Sequence, residues 1–319
     1  MNQVKIGVGF GLFSLGLPTA DTIVRVAERA EEWGLDSFWL SDHLLAASPE
    51  LDVIATLSLI ASRTSKIKFG PSVFLLNLRH PLVAAKSFAS LDYLSRGRVV
   101  MAVGTGANLN DYAACGIPTE GRGRRLDEGI LILRKVWTEQ KASFHGKYFN
   151  FDNVTIEPRP ARRNNTDSGT IDIWVGGRSD AALKRTARLA DGYFASFQTP
   201  EEFTRNMATI RNYAEQFGRA NARIESGMIL FCRLAETRER AMEEMRPMMA
   251  AMGRGAEGFL QRTIYGSPED IMRRLQEYVA IGLDKFVLWP IAEASAWADQ
   301  VELIGREIAT PYARAAKAA

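Results

Sequence analysis

Short apolar runs alternate eight times with segments of helical periodicity along this 319-residue chain, and that alternation restricts its fold more than any single motif. A first strand within "VKIGVGF" (4–10) is followed by "SFWLS" (37–41), "KIKFGPSVF" (66–74), "RVVMAVGTG" (98–106) and "IDIWVGG" (171–177). The series continues with "DGYFAS" (191–196), "SGMILFCRL" (226–234) and "LDKFVLW" (283–289). These runs are apolar throughout, as strands are when a parallel sheet is covered on both faces. The segments between them place apolar side chains at i, i+3, i+4 and i+7. Ile23, Val26, Ala27, Ala30 and Trp33 mark the first, over 18–33, with Gly34 where a helix end favours φ > 0. Leu126, Ile130, Leu133 and Trp137 mark one over 122–137, and Ile271, Leu275 and Tyr278 one over 268–280. Further helices are expected from Val53, over 81–94, from Ser179 and over 200–217.

Right-handed crossovers from parallel strands close naturally at eight, so the pattern predicts an α/β chain of the (β/α)8 TIM-barrel type forming one domain over 1–319. The rival is an open doubly wound sheet. Its Gly-x-Gly-x-x-Gly turn is missing, because "GVGFGLFSLG" runs on into apolar residues where a helix should start.

Two stretches break the cycle. After the fourth strand, 144–158 places Gly146 between aromatic segments, the mark of a hairpin or an extended excursion, and the polar run "PRPARRNNTDSGT" (158–170) is expected to be a lid-like loop. After the seventh strand, "AMEEMRPMMAAMGRGAEGF" (241–259) carries methionines at 242, 245, 248, 249 and 252. Flexible methionines fill helix cores or form an adaptable apolar cover over a ligand, and the sequence leaves both open.

Composition excludes several function classes. Forty basic against 37 acidic side chains, scattered and not clustered, give no footprint for nucleic acid. Cys115 and Cys232 stand alone without metal-ligand spacing, so neither a disulfide framework nor a metal site is expected, and a cytoplasmic setting fits. Glycines at 7, 9, 11 and 16 interrupt the first apolar stretch, which therefore reads as a strand and loop and not as an export signal. No apolar run approaches the ~20 residues of a membrane span.

In such a barrel the chemistry stands at the C-terminal ends of the strands. Those ends present Phe10, then Ser41, Asp42 and His43, then Ser72 to Leu75, Gly104 to Asn110, and Gly176 to Ser179. Asp42 and His43 are the ionisable neighbours that emerge from a wholly apolar strand. A histidine beside a core is often structural, but at a barrel mouth His43 is the candidate for acid-base chemistry. Adjacent strand residues point to opposite sides, so Asp42 need not be what orients it. "VGGRSDAAL" puts Gly176 and Gly177 before a helix start, where backbone N–H groups suit a phosphate and Arg178 supplies countercharge. "GTG" (104–106) is a second glycine turn.

Taken together, "SDHL", "GPSVFLLNLRHP", "FASLDYLSRGRVVMAVGTGANLNDY", "RGRRLDEGILILRKVW", "WVGGRSDAALKRTARLADGY" and "YGSPEDIMRRLQEYVAIGLDKFVL" resemble, in order and over nearly the whole chain, the bacterial luciferase-like oxidoreductases. The resemblance implies a (β/α)8 barrel with an insertion, a homodimer, and either coenzyme F420 or FMN at the mouth. It implies His43 as the active-site histidine, Thr105 and Gly106 as cofactor contacts, and Val175, Gly176, Gly177, Arg178 and Ser179 around the phosphate. Asp42, Ser72 and Val73 join that cofactor set. The Ser72–Val73 bond would be cis if the chain shares the bulge that backs the ring in F420-using members. Phe10, Phe74, Asn108 and Trp289 are the expected substrate pocket.

The run from Phe88 to Asn110 is most similar to the F420-dependent glucose-6-phosphate dehydrogenase branch. Two departures from relatives matter. Ala107 stands where that branch has an acidic residue, and Gly9 where methylenetetrahydromethanopterin reductases have one. The expected activity is hydride transfer between F420 and a small alcohol, carbonyl or unsaturated substrate. The alternatives are a reduced-FMN monooxygenase served by a separate reductase, and a non-catalytic flavin-binding protein.

Overall fold

The computed structural model describes residues 4–11, 17–45, 49–161, 169–252 and 255–312. Its first half runs β1 (Lys5–Phe10), α1 (Ala20–Glu32), β2 (Ser37–Leu40), α2 (Val53–Arg63), β3 (Lys68–Pro71), α3 (Pro81–Leu94), β4 (Val100–Val103), α4 (Leu109–Ala114) and α5 (Arg122–Thr138). A hairpin of β5 (Ala142–His145) and β6 (Asn150–Val154) follows. The second half runs β7 (Asp172–Gly176), α6 (Asp180–Leu189), β8 (Gly192–Ser196), α7 (Pro200–Gln216), β9 (Glu225–Leu234), α8 (Arg238–Met252), α9 (Ala256–Gln261), β10 (Thr263–Gly266), α10 (Pro268–Ala280), β11 (Lys285–Pro290) and α11 (Trp297–Leu303).

Eight strands pair in parallel in the order β3-β2-β1-β11-β9-β8-β7-β4. The two ends of this path meet through parallel bridges Phe69↔Val99 and Phe74↔Val103. Phe74 donates to Ala102 O at 2.7 Å and Gly104 donates back to Phe74 O at 3.1 Å, which closes the sheet into a barrel. The predicted helices start where their caps dictate. Thr199 and Ser267 each open a helix with a reciprocal capping box, with proline at the first turn. Gly34 ends α1 with φ 70°.

Strand alternation divides the apolar residues between two cores. On β1, Ile6, Val8 and Phe10 face the helix layer, while Gly7 and Gly9 face inward. Inside the barrel Trp39, Trp174 and Phe194 interlock, with Trp39 and Phe194 stacked at 4.6 Å. Beneath them, at the N-terminal ends of the strands, the buried Lys285 ammonium pairs with Asp36 Oδ2 at 2.6 Å. It lies 5.7 Å and 5.3 Å from the Trp39 and Trp174 rings. This ionic pair and the aromatic layer occupy the lower barrel, beneath the C-terminal mouth.

The insertion after the fourth barrel strand is an antiparallel hairpin, as expected, with Phe144 opposite Phe151 and His145 opposite Asn150. Glu128 of α5 tethers its turn by accepting from Lys147 N at 2.8 Å and Tyr148 N at 2.9 Å. Residues 162–168 of the expected lid-like loop, and 253–254 of the methionine-rich stretch, lie outside the described residues. Met245 of α8 is buried, and Met242, Met248 and Met249 are half-buried.

Strand β10, parallel to β9 as a ninth member of the sheet, was not anticipated. The ten-residue β9 outruns its neighbours β8 and β11, and its overhanging edge, from Phe231 to Leu234, pairs with Thr263–Gly266. Among the described residues, no helix is long and apolar enough to cross a membrane.

Candidate active site

A cavity of about 610 Å³ opens at the C-terminal ends of the barrel strands, within the size range of small-molecule sites, ~300–1,000 Å³. Its walls come from the segments after β2, β3, β4 and β7, and from β8, β9 and β11.

The segment after β2 delivers His43. Ser41 N donates to Phe10 O at 3.1 Å, continuing the strand pairing one residue past Leu40. Asp42 then turns inward to the protein. Its carboxylate accepts from Leu75 N at 2.8 Å and takes a two-pronged ion pair from Arg79, at 2.6 Å and 2.9 Å. Asp42 borders the cavity, and both of its oxygens also fasten β2 to the segment after β3.

His43 follows, with Nδ1 2.7 Å from Glu50 Oε2. The Glu50 side chain is 4% exposed and its other oxygen accepts from the Ser41 hydroxyl. The Glu50 hydrogen bond is the main cause raising the His43 pKa above its ordinary value. Partial burial opposes it, and the charges of Glu50, Asp42 and Asp111 add to the rise. With Nδ1 engaged, Nε2 is the ring nitrogen left for a ligand. Sequence reasoning missed Glu50. Its only trace was an acidic residue just before the Asp52 cap of α2, and the local pattern does not distinguish that from an ordinary helix-start charge.

After β3 the Ser72–Val73 peptide is cis, as the resemblance implied. The Val73 side chain is pressed between two strand ends. A Cβ built on Gly104 would lie 2.6 Å from one of its methyl groups, and one built on Gly176 2.7 Å from the other. Glycine at both positions is thus a packing requirement. Ser72 lines the floor, with its hydroxyl buried and unpartnered among the described residues.

Three expected residues do not reach the cavity. Phe74, next to the inward Val73, points outward, edge-on to Phe88 at 4.9 Å and under the Arg79 guanidinium. Phe10 lies on the outer face of β1 against Phe38 and Trp297. Val175 is outward and fully buried, since its neighbour Trp174 takes the inner position on β7. In each case strand alternation decides the side.

The glycine turns stand on adjacent strands. Thr105 and Gly106 line the cavity after β4, with Gly106 at φ 73°, and the Tyr112 hydroxyl donates to Thr105 O. Buried Asn77 holds Tyr112 in turn, donating to its hydroxyl at 3.0 Å. Asn108 lines the rim and donates to Leu45 O at 2.8 Å, while Leu45 N donates to Asp111 at 3.0 Å. These bonds tie the His43 segment to the segment after β4.

After β7, Gly176, Gly177, Arg178 and Ser179 line the wall, with Gly177 at φ 120° and Ser179 capping α6 by accepting from Ala182 N at 3.3 Å. Free N–H groups at a helix start, a glycine approach and an adjacent guanidinium suit a phosphate. Trp289 completes the lining from β11. Among the described residues, no group of three or more His, Cys, Asp or Glu side chains is disposed to hold a metal ion.

Comparisons with known proteins agree with this geometry. An F420-dependent glucose-6-phosphate dehydrogenase of Nakamurella multipartita is 31% identical over 233 residues, covering 70% of this chain and 67% of the relative. The chain spans between about half and two thirds of the length of the curated relatives it matches. Among solved structures, a monooxygenase from Streptomyces bottropensis superposes with a TM-score of 0.82 at 21% identity, over 97% of this chain and 99% of that one. The F420-dependent tetrahydromethanopterin reductase of Methanopyrus kandleri follows with a TM-score of 0.80 at 20% identity, over the same shares. The profile of the luciferase-like monooxygenases matches residues 7–285, most of the barrel, and the chain belongs to that family.

Proposed function

We propose that this protein is an F420-dependent oxidoreductase that interconverts a small alcohol and its carbonyl compound. The observation that carries the proposal is the His43–Glu50 pair, a histidine held by a buried carboxylate at the mouth of a barrel whose opposite rim offers a phosphate turn. The named relatives that depend on F420 support this choice of cofactor.

The residues fit such a group. Val73, nested on Gly104 and Gly176, presents an apolar face at the floor. The N–H groups of Gly177 to Ser179, with Arg178, would hold the phosphate, and Thr105 and Gly106 would flank the body of the cofactor. When bound, F420 supplies a hydride acceptor or donor at carbon. Loss of hydride from an alcohol carbon must be matched by loss of the O–H proton. Neutral His43 accepts that proton at Nε2 while Nδ1–H donates to Glu50, and the Glu50 carboxylate stabilises the imidazolium that results. In the reverse direction the imidazolium returns the proton to the carbonyl oxygen. A homodimer in the cytoplasm is part of this proposal, and in the carbonyl-reducing direction a separate enzyme would supply the reduced cofactor.

Titration with F420 and with FMN, each followed by cofactor fluorescence, tests the assignment. F420 binding is expected. Tight FMN binding with no F420 binding would overturn it in favour of the two-component monooxygenase.

A further inference from the structure

The cavity is built of two unlike halves. Around the barrel β2 and β8 stand four places apart, so His43 faces the end of β8 across the mouth. From β7 and β4 come the glycine turns and Arg178. The contiguous strands β8, β9 and β11 instead contribute Phe194, Phe197, Ile229 and Trp289.

Phe197 is held there under constraint. Its φ of 51° is left-handed, a conformation that bulky residues rarely keep unless their surroundings impose it. The constraint is visible. Phe197 N donates to Ile229 O at 2.9 Å, and its ring lies flat on Phe231, with centroids 4.4 Å apart and planes 9° apart. Phe231 is backed by Phe259 at 5.4 Å and meets Trp289 edge-on at 6.0 Å. The Trp289 indole nitrogen is buried against Gly9, where a Cβ would lie 1.8 Å from it, and it has no partner among the described residues. The indole therefore turns its carbon atoms, not its N–H, toward the cavity.

We infer that the aromatic wall of Phe197 and Trp289, backed by Phe231, selects a flat, uncharged substrate, an aryl or cyclic ketone and its secondary alcohol, and disfavours phosphorylated sugars. Aromatic faces favour planar apolar partners and give nothing to a phosphate dianion, which would lose its hydration there. The inference rests on the oxidoreductase reading above for the conversion itself. In that conversion the carbinol carbon loses a hydride to F420, and the hydroxyl proton goes to His43 Nε2.

Acetophenone binding, measured by saturation-transfer NMR with and without F420, is the test, alongside F420 binding by fluorescence. Wild-type protein is expected to bind acetophenone and not glucose 6-phosphate. Phe197→Ala should weaken acetophenone about tenfold or more with F420 affinity unchanged, and Phe231→Leu, which leaves the strained position intact, should weaken it in the same direction. Absence of acetophenone binding, acetophenone bound by both variants as tightly as by the wild type, or turnover of glucose 6-phosphate would overturn the inference. Acetophenone binding that depends on Phe197 without F420 binding would uphold the wall and overturn the cofactor assignment instead.

Discussion

Glu50 holds His43 through Nδ1 at 2.7 Å, and the same carboxylate takes the Ser41 hydroxyl, so one buried acid fixes both the ring and the backbone that carries it. The adjacent Asp42, the obvious partner from the sequence, is instead committed to Arg79 and Leu75. Two neighbouring acid-base residues thus divide their work. Asp42 sets where the segment lies, and Glu50 sets which nitrogen of His43 is free.

His43→Ala should lower turnover of alcohol substrates by ~10² or more, the usual contribution of a positioned general acid-base group. F420 binding should persist, because the glycine turns and Val73 are untouched. Steady-state rates together with a fluorescence titration separate the two effects, and an unchanged rate would remove His43 from the chemistry.

Glu50→Gln removes the main cause of the raised His43 pKa. Alcohol oxidation needs the neutral imidazole, so in the wild type kcat/KM should rise with pH through a value above 6.5, the ordinary value for histidine. In Glu50→Gln that acid limb should move to lower pH while the plateau falls, since the imidazolium is no longer stabilised. The pH profile of kcat/KM is the measurement, and an acid limb that stays in place would show that His43 is not the titrating group. The same pair gives a stability signature. A raised folded-state pKa contributes stability that is fully present below the unfolded value and lost as pH rises through the folded one.

Gly104→Ala and Gly176→Ala would each drive a methyl group into Val73, whose branched side chain has no long flexible end to give way. Either substitution should displace Val73 into the cavity and weaken F420 binding more than it lowers the melting temperature. Gly116→Ala is the control. Its Cβ meets nothing within 4 Å, though φ 64° makes alanine strained there, so it should cost stability and spare cofactor binding.

The barrel was legible in the sequence because a strand buried on both faces and an amphipathic helix leave different periodicities, and eight repeats of the pair admit few closures. Site positions were legible to the extent that strand ends were. His43, Thr105, Gly106 and the Gly176–Ser179 turn all line the cavity, as do Ser72, Val73, Asn108 and Trp289. The errors at Phe10, Phe74 and Val175 have one cause. A wholly apolar strand does not reveal which alternate residues face inward, and the inward positions on β1 are glycines, which carry no hydrophobic signal. Glu50 and β10 were missed for another reason. Both depend on a contact that no local pattern announces, His43 with Glu50 seven residues further along and Thr263–Gly266 with the overhang of β9.

Lys285 gives a last prediction, at the opposite end of the barrel from the chemistry. Its ammonium is buried between two indoles and paired with Asp36, and Lys5 and Glu225 form a second pair nearby. Burial, the largest single influence, would raise the Asp36 pKa, but the charge and hydrogen bond of Lys285, the Lys68 charge and the Ser37 hydroxyl together outweigh it, and the pKa lies below its ordinary value. The stability this gives is present at neutral pH and lost as pH falls through the folded-state value. Lys285→Met fits the apolar space but leaves Asp36 without its ion-pair partner, and should cost ~3–5 kcal/mol at pH 7. On acidification toward pH ~4 the deficit should narrow, because protonation relieves the stranded carboxylate in the variant while it weakens the pair in the wild type. Denaturant unfolding of both proteins across this range checks the sign, and a deficit constant with pH would show that packing around the lysine stem, not the ion pair, stabilises the lower barrel.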